Sequence, residues 1–497
     1  MQSISPLTIL YIILGYFVLL IAISFFTAGK ADNRTFFTAN KNSPWYLVAF
    51  GMIGASLSGV TFISIPGVVG AGGTNMAFSY MQMVYGYLAG YFIIATVLMP
   101  LYYKYNLTTI YGYLNARFNP WAYKTSAGYF ILSRLVGSAF RVYLVALVLD
   151  SFVFAPLGLS FNFTVAMTIL LIWIYTFKGG IKTIVVTDTL QTFFMLSAVL
   201  ATILLIGEQL SLSPGEIIPA IRNSEYSRMW FFDKGWNDPN NFFKQFISGA
   251  LIALVMTGLD QDMMQKNLTC RNLRDAQKNM FSFSIVLVFT NLLFLGLGAM
   301  LYIYAAQSGV PIPAKTDQLY PTIALQYMSP IVGVLFIIGL IAAAYSSADS
   351  ALTALTTSFC VDILNLEASP ASEKDKSRTR QWVHIGFSVV LMLMIIVFHS
   401  LNNDAIINNL FKAAGYTYGP ILGLFAFAIL TRSKLPGWPV LLVCLLAPVI
   451  SYIIDSSSAQ WLGGFQFGNM IIALNGLITF AGLYIIAVIN MRNNRGV

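Results

Sequence analysis

Charge is what this chain has least of: Asp, Glu, Lys and Arg make up 9% of its 497 residues, against roughly a quarter in ordinary soluble domains. With 57% hydrophobic residues and a mean hydropathy of +0.74, a water-soluble fold would leave surface that water cannot solvate. Cysteine is nearly absent, and Cys270, Cys360 and Cys444 are too widely separated to form a disulfide framework or a metal-ligand cluster. Only two histidines occur, His384 and His399, near opposite ends of one apolar run, and no phosphate-binding loop accompanies them. An enzyme is therefore not expected. The net charge of +9 comes from basic residues scattered singly between apolar runs, which argues for membrane orientation rather than a nucleic-acid partner. The largest polar stretches, 207–241 and 365–381, are connections rather than domains, so a sensor with a soluble output domain is not expected either.

What is present is a series of long apolar runs. A hydrocarbon core of about 30 Å needs roughly 20 apolar residues. Runs of that order lie at 6–27, 45–71, 77–103, 125–153, 161–177, 183–206, 242–265, 279–306, 330–364, 382–400, 406–430, 438–454 and 467–491. The reading is an all-α integral membrane protein of about thirteen spans, in which 6–27 is a retained helix. With the N-terminus outside, twenty of the 28 basic residues fall on inside segments, among them Lys30, Lys178, Lys266 and Arg495. Five fall outside: Arg222, Arg228, Lys234, Lys244 and Lys315. That bias predicts a cell-membrane protein with its N-terminus out and its C-terminus in the cytoplasm. The outer stretch 207–241 is long enough for a lid over a site, or for a packed cap.

Transporters place binding sites where membrane helices are interrupted, because the freed backbone can coordinate an ion. The run Gly51 to Gly73 concentrates Gly54, Ser56, Ser58, Gly59, Thr61 and Ser64 ahead of Pro66, which suits either an unwound segment or a close helix contact. In AAAYSSADSALTAL, Ser346, Ser347 and Ser350 surround Asp349, an oxygen-rich group of the kind hard cations prefer. Asp188 lies within another span, and Arg134 and Arg141, seven residues apart, share a helical face. These arginines suit either an anionic solute or neutralisation of acids such as Asp188.

These motifs, with TFISIPG, YTFKGGIKTIVVTDTLQ, GLDQDMMQKNLTCRNLRDAQK and GYTYGPILGLFAFAIL, resemble the sodium:solute symporter family over nearly the whole chain. The resemblance implies a LeuT-type fold of two inverted five-helix repeats, 45–206 and 242–430, preceded by the helix 6–27 and followed by two helices in 438–491. It implies Na⁺ as coupling ion and a small polar solute, with a sugar, sugar acid or other organic anion favoured. A proline-like amino-acid symporter is the alternative, and a channel or membrane sensor a more distant one. Carried over by motif, sodium would be held by carbonyls of Gly54, Leu57 and Ala343 and hydroxyls of Ser346 and Ser347. A second sodium or proton site would use Asp188, Ser346, Asp349 and Ser350, although Asp349 stands where the family pattern has serine. Substrate would meet Ser56, Ser58, Thr61, Tyr80, Arg134 and Asp260. The family's glutamine one turn after Tyr80 is Val84 here, with Gln82 nearby.

Overall fold

A computed structural model describes residues 5–28, 33–73, 75–401 and 406–493. Lys30 and Arg495 lie outside the described residues, as does the side chain of Lys178. Helices account for nearly all regular structure, and among the described residues the only β pairing is an isolated bridge between Ser43 and Cys270.

The main helices are labelled in chain order. They begin with α1 (Pro6–Ala28), α2 (Trp45–Ser56), α3 (Gly59–Val68), α4 (Tyr80–Lys104), α5 (Pro120–Leu157) and α6 (Phe161–Gln209). They continue with α7 (Phe242–Gly258), α8 (Gln261–Leu268), α9 (Leu273–Ser308), α10 (Pro330–Ile363) and α11 (Glu373–Leu401). The last three are α12 (Ile406–Leu430), α13 (Pro439–Trp461) and α14 (Ile471–Asn493). Among the described residues, ten helices are long and apolar enough to cross a membrane, and two bent pairs raise this to twelve. The first arm of α6, Phe161–Thr176, is apolar but shorter, so length and apolarity alone do not reach the thirteen expected.

Each irregularity has a local cause. Helix α6 kinks at Gly180, whose φ of 54° lies in the left-handed region that glycine enters without a Cβ penalty. The α2–α3 pair bends by 57° across Leu57 and Ser58, and α7–α8 by 68° across Leu259 and Asp260. The first break falls within the small-residue run seen in the sequence. The second was not expected, since 242–265 reads as one continuous span. Its signal was present as Gly258 followed by Asp260, whose carboxylate caps α8 by accepting from the N–H groups of Asp262 and Met263 at 2.9 and 3.3 Å. The two bent pairs open the two stretches that the repeat reading assigned to 45–206 and 242–430.

Helix α10 packs along α6 and α5, α2 along α6, α4 along α7, and α12 along α14. Close approach in the α4–α7 contact depends on small residues: a Cβ on Gly86 would lie 2.1 Å from the carbonyl oxygen of Phe246, and one on Gly249 2.1 Å from that of Met83. The burial pattern fits a bundle in lipid. Large apolar side chains such as Phe25, Phe26, Leu430 and Leu477 face outward, while the interior around α10 gathers buried Ser, Thr and Asp.

The segment 207–241 packs down as a hydrogen-bonded cap. The side-chain oxygen of Asn240 accepts from the Asn75 N–H and the Ser79 hydroxyl, both at 2.9 Å. Gln82 closes the same joint, donating to the Asn240 carbonyl at 2.8 Å and accepting from the Phe231 N–H at 3.0 Å. Gln82 thus holds the cap on α4.

Candidate functional site

At the first break, Leu57 (φ −89°, ψ 89°) and Ser58 (φ −84°, ψ 179°) leave helical geometry. The carbonyls at the end of α2 and the N–H groups at the start of α3 therefore lose their intrahelical partners. This broken end lies against α10. A Cβ on Gly54 would stand 3.3 Å from the Ser346 hydroxyl, and one on Gly59 3.9 Å from the Cα of Ala344. Gly54 and Gly59, on either side of the break, thus face the α10 segment around Ala344 and Ser346, two of whose neighbours, Ala343 and Ser347, the motif also assigned to sodium. The Ser347 hydroxyl donates to the carbonyl of Ala344 at 3.3 Å.

Behind this contact lies a buried charged group. The Ser346 hydroxyl donates to Asp188 Oδ1 at 2.7 Å, and the Lys266 ammonium donates to Asp188 Oδ2 at 2.6 Å. Lys266 is 1% exposed. Two expectations are corrected here. Lys266, counted with the inside loops, is instead carried inward by α8, and the cation paired with Asp188 is Lys266 rather than Arg134 or Arg141. Asp349 accepts from the Tyr175 hydroxyl at 2.8 Å and from the Ser350 N–H at 2.5 Å. Among the described residues it makes no ion pair with arginine, which removes that explanation of its departure from serine. The Ser350 hydroxyl turns away from Asp349 and donates to Asp262. The four residues proposed for a second ion thus divide into an Asp188–Ser346 pair held by Lys266, an Asp349 held by Tyr175, and a Ser350 whose hydroxyl is taken by Asp262.

A third group surrounds the second break. Arg134 donates to Asp262 and lies 3.8 Å from Asp260. Tyr418 on α12 donates to Asp260. Four elements, α5, α8, α10 and α12, are therefore tied together by buried polar contacts in which opposite charges offset the cost of burial.

Between the two breaks is a cavity of about 80 Å³ with a mixed polar and apolar lining. Its lining includes Ser56, Ser58, Thr61, Tyr80 and Arg134, five of the six residues expected to meet substrate. Asp260 is not in the lining, because its carboxylate is committed to capping α8 and to Tyr418. Sequence reasoning did not assign Tyr87, Tyr91, Thr257 and Asn291 to the site, which also line the cavity. Tyr87 and Tyr91 stand one and two turns beyond the 80–83 turn on α4, and Tyr87 hydrogen-bonds Tyr80 at 3.0 Å. That seven-residue spacing was the available signal.

The sequence profile of the Sodium:solute symporter family matches residues 36–434. The chain belongs to this family. Among curated relatives, the symporter is 24% identical over 469 residues to the sodium/sialic acid symporter NanT of Aliivibrio fischeri, spanning 92% of this chain and 89% of that one. It is also 24% identical to the sodium-coupled monocarboxylate transporter 1 of Mus musculus, over 82% of this chain and 66% of that protein. Among solved structures it superposes on a substrate-bound, outward-open Na⁺-coupled sialic acid symporter with a TM-score of 0.81 at 19% identity, covering 97% and 98% of the two chains. That likeness gives the symporter a LeuT-type helical fold. The function is sodium-coupled solute symport through a multi-pass membrane protein, and not enzymatic catalysis.

Proposed function

We propose that this symporter imports a small anionic organic solute, a sugar acid or monocarboxylate, across the cell membrane, with its N-terminus outside and C-terminus in the cytoplasm. The observation that carries this reading is a hydroxyl-rich cavity containing two arginines, set directly against the broken end of α2. Sodium binds between Gly54–Leu57 and Ala343–Ser347 and fastens the broken helix to α10. Solute binds beside it, touching the same broken helix through Ser56, Ser58 and Thr61. Ion and solute therefore stabilise one arrangement of α2, α3 and α10, and by linkage each raises the other's affinity. Rocking of the two repeats, 45–206 and 242–430, then moves the site from one side to the other. The membrane potential contributes about 2.3 kcal/mol per 100 mV for each net charge moved.

The test is uptake into proteoliposomes of radiolabelled sialic acid, pyruvate, proline and galactose, with an inward sodium gradient and with choline in its place. Sodium-dependent accumulation of an anion supports the reading. Accumulation of proline or galactose with no response to either anion would replace it with the amino-acid or neutral-sugar alternative. The orientation is tested by a cysteine at Ser372, which an impermeant maleimide should label only from the cytoplasmic side. The native cysteines are buried and give little background.

A further inference from the structure

We propose that Arg141, rather than Arg134, holds the carboxylate of the solute. This rests on the preceding reading for the location of the solute site. Both arginines line the cavity, and among the described residues no acidic one does. Their surroundings differ. Arg134 is occupied by Asp262 and flanked by Asp260. Each oxygen of those carboxylates also has a partner: Asp262 takes Arg134 and the Ser350 hydroxyl, and Asp260 takes Tyr418 and two backbone N–H groups. Among the described residues both acids pair with Arg134, and neither pairs with Arg141.

Arg141 sits two turns further along α5, is 7% exposed, and makes no ion pair or hydrogen bond among the described residues; the Nε of each arginine is buried without a partner, so what separates the two is the ion pair that Arg134 alone makes. A guanidinium carries five donors and stays charged, and burying it unpaired is costly. The arrangement is completed by an anion that enters the cavity, and a planar carboxylate matches the guanidinium fork in bidentate geometry. The hydroxyls of Ser58 and Thr61, and the hydrogen-bonded Tyr80–Tyr87 pair, then face the remainder of the solute. Arg134 serves the fold instead, fixing the inner wall of the cavity by joining α5 to α8.

The experiment measures ligand-induced thermal stabilisation of the purified full-length protein by sialic acid, pyruvate and lactate, with lactamide as the neutral counterpart and sodium chloride against choline chloride. The same compounds are then followed in proteoliposome uptake. Wild type should respond to at least one carboxylate and not to lactamide. Arg141→Gln should weaken that carboxylate response by about 10- to 100-fold, as expected for loss of charge-assisted hydrogen bonds, and Arg141→Lys should recover part of it. Unliganded Arg141→Gln should unfold no earlier than wild type, since no ion pair or hydrogen bond is lost with the guanidinium. The proposal is overturned if Arg141→Gln binds the carboxylate as wild type does, or if no carboxylate stabilises wild type. If carboxylate binding needs Arg141 but ignores sodium, the anchor stands and the coupling reading fails.

Discussion

Replacing Lys266 with methionine tests whether the buried charges were read correctly. Its ammonium lies 2.6 Å from Asp188, with the two side chains 1% and 0% exposed. At an effective dielectric of about 20, two unit charges at that separation attract by roughly 6 kcal/mol, which offsets a desolvation cost of several kcal/mol for each ion. Methionine keeps most of the volume but, among the described residues, leaves the Asp188 carboxylate with the Ser346 hydroxyl alone, and an uncompensated buried charge costs about 3–5 kcal/mol. Lys266→Met should therefore unfold markedly earlier in detergent at a fixed scan rate. The double variant Asp188→Asn with Lys266→Met should recover at least half of the loss, because no charge is then stranded. Sodium chloride should stabilise the single variant more than it stabilises wild type, since Na⁺ can take the ammonium's place beside Asp188. If Lys266→Met is as stable as wild type, or if the two single losses simply add in the double variant, the pair is not the coupled unit argued for.

Two further outcomes follow from the packing and the broken helix. Ser346→Ala with Ser347→Ala should raise the sodium concentration for half-maximal uptake at least about tenfold, by removing two oxygen ligands; unchanged sodium-dependent uptake would reject the ion site. Gly249→Leu should prevent stable folding or cost about 3 kcal/mol, because the new Cβ meets the Met83 carbonyl at 2.1 Å and backbone cannot yield as a side chain can. Retention of wild-type thermal stability would show that α4 and α7 can separate without loss.

The sequence by itself determined the membrane class, because 9% charge and repeated apolar runs satisfy the backbone only as helices in lipid. It also located the first break, where Gly54, Ser56, Ser58 and Gly59 crowd one span, and it supplied five residues of the cavity lining. The partners of the buried charges were decided by tertiary structure. Asp188 and Lys266 are 78 residues apart, and Arg134 and Asp262 128 apart, separations at which no helical periodicity relates one side chain to another. Lys266 was especially hard to read: it follows an apolar span and precedes a basic loop, so hydropathy places it in water. Only the 68° bend at Asp260 turns α8 inward and delivers the ammonium to Asp188. The same bend commits Asp262 to Arg134 and, among the described residues, leaves Arg141 as a cavity cation without an ion pair, a distinction that two arginines on one helical face cannot reveal.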